Sequence, residues 1–375
     1  MSVGKHILIT GATGFLGSHL TGRLLQDGHR VTALARGSKN TPPRDRVKTV
    51  LRDVGGVSQF QNLEVFEGDI SLPGLGLSQS AKKQILTTTD EVWHCAASLS
   101  FQEEDRDEIF RMNVQGTRHV VEFVKQTPSR RLQHVSTAYI AGNRDDLALE
   151  TEIHVGQTFK NAYEESKCRA ELLVAEEQRK GTITASVYRP SIVIGHSKSG
   201  RVTHFHGVYA FIRALWSALE RLRRRMPEAG VVNLPLRVLG TETQTLNFVP
   251  IDYVVDSMFE ISRRPNSAGG TYHLVNPAPT ENRMWLPNIC RLLHVEGIQL
   301  VGEHSFLKTP MTKLELLFQK QMAFYYQYLQ GEPRFDCRRA LDALRNTGIE
   351  CPPVTAEFID RVAGWYVDLL NARAI

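Results

Sequence analysis

Thr10-Gly11-Ala12-Thr13-Gly14-Phe15-Leu16-Gly17 lies between an apolar, β-rich run, His6–Thr10, and a stretch that reads as a helix, Phe15–Gly28. Its glycines are spaced Gly-x-x-Gly-x-x-Gly, close to the fingerprint of a dinucleotide-binding turn. Gly11 permits the tight turn, Gly14 lets the backbone approach a pyrophosphate, and Gly17 lets the helix pack close to the sheet. A helix starting here aims free N–H groups and its positive dipole end at phosphates. The glycine pattern alone is weak. Its place directly after the first apolar strand and before the first helix makes it strong. Thr13, Phe15 and Leu16 join the three glycines as expected cofactor contacts.

Outward from the turn, short apolar runs alternate with amphipathic ones. Arg30–Ala35, Leu63–Phe66, Glu91–Cys95, Leu132–Ser136 and Thr184–Tyr188 read as further strands. Glu104–Gln126, stopped before Pro128, and Asn161–Lys180, closed by Gly181, read as helices. Strands alternating with helices predict an α/β protein with a parallel sheet. Right-handed crossovers make it a Rossmann-type, doubly wound sheet. After Gly195 the rhythm breaks. Ser197–His206 reads as a loop, Phe211–Arg225 as a helix, and Leu246–Val249 as a short strand. A helix over Asp252–Ser262 and a strand over Thr271–Val275 follow, and the remainder reads as mostly helical. The expected organisation is interleaved. Residues 1–195 and 240–264 form the nucleotide-binding domain, and 196–239 and 265–375 a smaller, mostly helical substrate-binding domain.

The chain has 375 residues, 42% hydrophobic and 23% charged, ordinary values for a folded soluble protein. A net charge of +5 is too small to indicate nucleic acid. The five cysteines, Cys95, Cys168, Cys290, Cys337 and Cys351, are widely spaced without a Cys-x-x-Cys pair. That argues against zinc and for reduced thiols in a cytoplasmic compartment. His204 and His206 lack a partnering carboxylate or cysteine set, so no metal is expected. No apolar run approaches the roughly 18 residues of a membrane helix. The start of the chain lacks a signal-peptide pattern, and Ser2 excludes the myristoylation pattern.

The second strand tests cofactor choice. It ends Leu34-Ala35-Arg36-Gly37-Ser38-Lys39, where an acidic residue would hold the ribose 2′-hydroxyl of NAD. Arg36 instead offers a planar guanidinium to a 2′-phosphate, with Ser38 and Lys39 beside it. NADPH is therefore the expected cofactor. Tyr163-Glu164-Glu165-Ser166-Lys167 puts Tyr163 and Lys167 one helical turn apart on one face. A tyrosine hydroxyl titrates near pH ~10, and a neighbouring ammonium lowers that value and eases proton transfer. Upstream, Val135-Ser136-Thr137-Ala138 closes the fifth strand at the edge where ligands bind. Thr137 there can donate to a substrate carbonyl or merely cap the strand, and Ser136 competes for the same role. Asn113 falls inside a helical segment, where Asn is a poor residue. A local kink or a water-holding role beside Lys167 would explain it.

These residues resemble the extended short-chain dehydrogenases/reductases. The resemblance rests on the glycine turn, Gly68-Asp69-Ile70, His94-Cys95-Ala96-Ala97, Asn113-Val114-Gln115-Gly116-Thr117, His134–Tyr139 and Tyr163…Lys167. Phe159–Lys167, Tyr188–Gly195 and Asn247–Tyr253 are similar to the thioester reductase and fatty acyl-CoA reductase branch. The resemblance covers about residues 5–260 and is loose in the tail. It implies that Asp69 and Ile70 flank the adenine, that Ala96, Ala97 and Ser98 line the cofactor channel, and that Pro190, Ser191 and Val193 meet the nicotinamide end. It implies reduction of an acyl thioester, carried on a carrier protein or coenzyme A, to an aldehyde and onward to an alcohol. A ketone or aldehyde reductase, or a sugar-nucleotide epimerase or dehydratase, is the rival on the same frame. Relative to larger family members the chain is expected to lack carrier and adenylation domains and a membrane-spanning tail. The basic helix end Arg221-Leu222-Arg223-Arg224-Arg225 reads as a solvated face, or as a dock for an acidic carrier, a coenzyme A phosphate or an anionic membrane surface. Phe205, Tyr209 and Phe211 read as core or as the lining of an acyl pocket.

Overall fold

The computed structural model describes residues 4–38, 40–55, 59–205, 207–224 and 230–374. They divide into two compact units. The first comprises Met1–Ser191, Ile251–Val275 and Arg334–Glu350, and the second Ile192–Pro250, Asn276–Pro333 and Cys351–Ile375. The division is interleaved, with boundaries that differ from the expected ones. Thr271–Leu274, placed by the sequence reading in the substrate domain, is instead a strand of the main sheet. Pairing decided the matter, and pairing between distant segments leaves no local trace.

The first unit holds a seven-stranded sheet. Its strands are β1 (His6–Thr10), β2 (Arg30–Ala35), β3 (Leu63–Glu67), β4 (Glu91–His94), β5 (Arg131–Val135), β6 (Thr184–Pro190) and β7 (Thr271–Leu274). The order is β7-β6-β5-β4-β1-β2-β3, and every neighbouring pair is parallel. All five residues of β1 are buried, as expected of a parallel strand covered on both faces. The strand order reverses between β1 and β4, and such a switch point opens a crevice beyond the strands' carboxyl ends.

Helices that flank the sheet include α1 (Phe15–Gln26), α2 (Pro43–Gly55), α3 (Gln79–Thr88), α4 (Arg106–Phe110), α5 (Gly116–Val124) and α6 (Ala162–Arg179), and the helix Ile251–Arg263 of the same unit packs on α1. The sequence reading did not pick out α2 and α3. It read Glu104–Gln126 as one helix, whereas Arg111–Gln115 between α4 and α5 is a single turn of π-helix. Val120, Val121 and Val124 of α5 and Val174 of α6 pack on Leu132 and Val187 in one core cluster. Helix α6 starts at Asn161, whose side chain accepts from the Glu164 N–H at 3.0 Å, so the cap fixes where Tyr163 begins its turn.

Arg189 in β6 and Glu171 in α6 form an ion pair with side chains 2% and 1% exposed. The guanidinium also donates to the Glu152 carbonyl at 2.7 Å and to His273 Nε2 at 2.9 Å. His273 Nδ1 in turn donates to the Asp336 carbonyl at 2.7 Å. This hub ties β6, β7, α6 and the 334–350 segment together.

The second unit contains the helices Val208–Arg223, Asn282–Leu292, Lys313–Leu329 and Ala356–Ala374. It also contains a parallel pair, Val232–Leu239 with Val295–Val301, which the expectation of a mostly helical remainder missed. Tyr209 and Phe211 are 1% and 3% exposed and pack on Tyr366 and Trp285, so both are core residues. Phe205 stacks on Tyr366 with ring centroids 4.6 Å apart.

Replacing Glu171 with Leu leaves the Arg189 charge buried without its partner. The expected loss is about 3–5 kcal/mol of stability, measured by urea unfolding. A loss below about 1 kcal/mol would show that the surrounding carbonyls suffice, since net hydrogen bonds contribute about that much each.

Candidate active site

The glycine turn is built by close approach. Gly11 has φ +78°, and a Cβ there would lie 2.6 Å from the Ala96 nitrogen. A Cβ on Gly17 would lie 2.2 Å from the Gly11 carbonyl oxygen. Gly14 is the N-cap of α1, its N–H bonded to the Gly11 oxygen at 2.9 Å. No side chain caps this helix and no acidic residue occupies its first turn, so its positive end is left to a ligand. Thr13, Phe15 and Leu16 are half-buried around the turn, and Phe15 packs edge-on against His19.

Arg36 follows β2 and is exposed. Arg46 donates to its carbonyl oxygen, and Ser38 bridges Thr41 through the backbone. Glu67 approaches the same corner, its Oε1 within 2.8 Å of where a Cβ on Gly37 would lie. Lys39 lies outside the described residues. Asp69 accepts from the Ser71 N–H at 2.8 Å. The Ile70 side chain belongs to the core and packs under Gly116, while its carbonyl accepts from His119 at 2.8 Å.

The loop after β4 meets the turn directly. Ala96 donates its N–H to Thr10 Oγ1 at 3.3 Å. Ala97 is half-buried between it and Ser98. Asn113, in the π turn and 1% exposed, holds Ser98 from both sides. Its Oδ1 accepts from the Ser98 N–H at 2.7 Å, and its Nδ2 donates to the Ser98 carbonyl at 3.1 Å. Nδ2 also donates to Ser166 Oγ at 2.9 Å. The side-chain amide is thus engaged by protein groups, and the irregular turn gives a mid-helix asparagine its reason.

Thr137 follows β5. Its hydroxyl accepts from the Tyr139 N–H at 3.3 Å, capping a short 3-10 turn, and stands near enough to the Tyr163 phenol to lower its pKa. Lys167 Nζ donates to the Val135 carbonyl at 2.7 Å, at the same strand end. Phe101 packs edge-on against the Tyr163 ring, centroids 5.4 Å apart. Burial pushes the Tyr163 phenol well above its ordinary range, and Thr137 opposes this. Burial pulls Lys167 down to about 8, with Glu171 and Cys95 resisting. Burial also raises the Cys95 thiol to about 12, so it is no nucleophile near neutral pH. Ser136 is buried, and its hydroxyl has no partner among the described residues. Pro190 accepts from Thr137 Oγ1 at 3.4 Å, and the Ser191 N–H bonds Leu274 at 3.3 Å. Val193 lies in the second unit.

Elsewhere in the second unit, Arg221 and Arg224 are exposed, and Arg223 donates to the Leu293 carbonyl at 2.6 Å. His204 bonds Thr203 at 3.0 Å. Arg225 and His206 lie outside the described residues. Among the described residues no helix is long and apolar enough to cross a membrane.

A parallel sheet that reverses order at a glycine turn is a dinucleotide-binding frame, and a Tyr-x-x-x-Lys helix beside the reversal marks the extended short-chain dehydrogenase/reductase type. Residues 9–258 match the family model described as Male sterility protein, and the chain belongs to that family. It is 28% identical over 294 residues to fatty acyl-CoA reductase 1 of Rattus norvegicus, which covers 68% of this chain and 53% of that protein. The chain therefore spans about half the length of that relative. It is 28% identical over 311 residues to peramine synthetase A of Epichloe festucae, covering 80% of this chain and 10% of that protein. The terminal R domain of the myxalamid PKS-NRPS pathway superposes with TM-score 0.79 at 26% identity, covering 98% of this chain and 92% of that one.

With its pKa at about 8, Lys167 loses its ammonium as pH rises through that value. The free-enzyme kcat/KM profile should therefore fall above pH about 8. In Lys167→Arg the guanidinium stays charged, so that limb should disappear at a lower plateau. A wild-type profile flat to pH ~10 would remove Lys167 from the proton path, because an unperturbed lysine titrates there.

Proposed function

We propose that this chain reduces an acyl thioester to an aldehyde and a free thiol with NADPH. The observation that carries the reading is the meeting of the Tyr163–Thr137 hydroxyl pair and the Lys167 ammonium at one strand end. The family supports it, since one relative is named a fatty acyl-CoA reductase and a terminal R domain of a PKS-NRPS pathway is similar at 26% identity. NADPH supplies a hydride. The fit of the site to that cofactor is a backbone cradle that any Cβ would fill, backed by an uncapped helix end.

The protein's groups divide the remaining work. Thr137 and Tyr163 donate to the carbonyl oxygen as it gains negative charge, a preorganised electrostatic effect. Tyr163 gives that oxygen its proton, leaving a phenolate that the Lys167 ammonium stabilises. One hydride and one proton have then added across the C=O bond. The resulting hemithioacetal breaks its C–S bond, releasing aldehyde and thiol. A second round at the aldehyde yields the alcohol. Arg36 favours NADPH through its exposed guanidinium, although Glu67 stands at the same corner. The acyl group arrives on a carrier protein or on coenzyme A. Five free cysteines suit a reducing, cytoplasmic setting.

NADPH oxidation should be seen with a panel of acyl-CoA and acyl-carrier thioesters, and Tyr163→Phe should lower kcat by about 10²–10⁴. Consumption with simple ketones alone would overturn the thioester reading. Arg36→Ala should raise the KM for NADPH about tenfold to a hundredfold and leave that for NADH unchanged, the loss of one charge-assisted contact. Equal effects on both cofactors would sink the 2′-phosphate assignment.

A further inference from the structure

His94, the last residue of β4, stands in the middle of an unbroken chain of hydrogen bonds. Its Nδ1 lies 2.8 Å from Thr10 Oγ1 and its Nε2 lies 3.0 Å from Thr117 Oγ1. Thr117 Oγ1 is also 2.6 Å from the carbonyl oxygen of Asn113. A carbonyl can only accept, and a hydroxyl has one proton to give. Thr117 therefore donates to Asn113 and accepts from His94, which puts the ring proton on Nε2. Nδ1 is then a bare lone pair, so Thr10 donates to it. The Thr10 oxygen is left to accept, and the Ala96 N–H fills it at 3.3 Å. Each proton in the chain has one direction.

The two ends of this chain are the two halves of the site. Thr10 precedes Gly11, and Ala96 is the group a Cβ on Gly11 would strike. At the other end Asn113 holds Ser98 and, through Nδ2, Ser166. Ser166 Oγ donates to the Tyr163 carbonyl at 2.8 Å inside α6. We propose that His94 is a positioning residue whose neutral, Nε2-protonated ring locks the glycine turn and helix α6 into one register. A dinucleotide seated at the turn then meets Tyr163 at the right depth. This inference rests on the reading of the turn as a cofactor cradle under the proposed function. Burial, helped by the nearby Lys167 charge, holds His94 at about 3, so Nδ1 stays free of a proton under ordinary conditions.

The adjacent strand supplies a control. His134 lies beside His94 in register, rings 5.4 Å apart, and is equally buried. Neither of its ring nitrogens has a partner among the described residues. Burial alone is thus common to both histidines, and the hydrogen-bond chain is specific to His94.

Nitrogen-15 spectra of the wild-type protein at pH ~7 should show His94 protonated on Nε2 and bare on Nδ1, a range where an unperturbed imidazole is mostly neutral too. His94→Phe keeps the ring volume and removes both bonds. It should weaken NADPH binding about tenfold by fluorescence titration, the loss expected when a buried hydroxyl is left unpaired. The same variant should lower kcat with the KM for the acyl substrate unchanged. His94→Gln, whose Oε1 accepts and Nε2 donates, should restore most of both, while His134→Phe should alter neither. A Nδ1-protonated His94, or a folded His94→Phe with wild-type NADPH affinity and kcat, would overturn the proposal. The tautomer measurement needs neither a folded variant nor an acyl substrate. A wild-type protein that binds NADPH but reduces no thioester would sink the proposed function and leave this inference to the binding data.

Discussion

A carbon atom cannot be placed between Gly17 and the carbonyl oxygen of Gly11, and much of the first unit follows from that. The clearance at a Gly17 Cβ would be 2.2 Å, and at a Gly11 Cβ 2.6 Å against Ala96. Three backbone segments, the β1 turn, the start of α1 and the loop after β4, therefore converge more closely than any side chain allows. Real Cβ atoms essentially never approach so near, so the convergence specifies glycine by exclusion. It also aims the free end of α1 over the carboxyl edge of β1, where the sheet reverses its order. A helix end without a side-chain cap or an acidic first turn presents a positive dipole end to water or an anion at that point.

The buried polar groups of the first unit are unevenly satisfied. Thr10, His94, Thr117 and Asn113 form a connected network completed by Ala96, Ser98 and Ser166. Arg189, Glu171 and His273 form a second network at the far strands, completed by the Glu152 and Asp336 carbonyls. Such networks rigidify a core when complete, because each unpaired member in a low dielectric is expensive. Ser136 and His134 are the counterexample, buried with polar atoms that find no partner among the described residues. Ser136 neighbours Thr137 at the carboxyl end of β5.

The sequence carried the glycine turn, the Tyr163–Lys167 pair and the first six sheet strands, because each is a local pattern: a spacing, a one-turn offset, an apolar run between breakers. The π turn at Arg111–Gln115 was visible only as an oddity, Asn113 in a helix, since one extra residue in a turn leaves the flanking periodicity intact. The seventh strand was seen as a strand but assigned to the wrong unit, because its partner β6 lies far back in the chain. Val232–Leu239 was missed although its burial alternates, its centre broken by Pro235. The Ile70 side chain lies in the core in the room that Gly116 leaves, a contact between residues 46 positions apart that spacing does not reveal. Arg36 and Glu67 share one corner for the same reason, through the β2–β3 register.

The electrostatics of Tyr163 and Lys167, the pair given the proton transfer under the proposed function, show why burial would be tolerated there. Desolvation moves the Tyr163 phenol up and the Lys167 ammonium down, so taken singly each group is pushed toward its neutral form. In water the two would sit closer to their ordinary values but interact weakly, since charges a few ångströms apart lose most of their coupling at high dielectric. In the buried setting, an oxyanion formed beside Thr137 under the proposed function would be screened by no solvent shell, and its attraction for the ammonium would be correspondingly larger. Under the proposed function, negative charge growing on the carbonyl oxygen would draw Lys167 back toward its protonated state, and that ammonium would in turn stabilise the phenolate left when Tyr163 gives up its proton. The penalty that burial imposes on the resting site is the same property that makes the site respond to charge, so the strength of the response follows from how completely β5, α6 and the Phe101 ring exclude water.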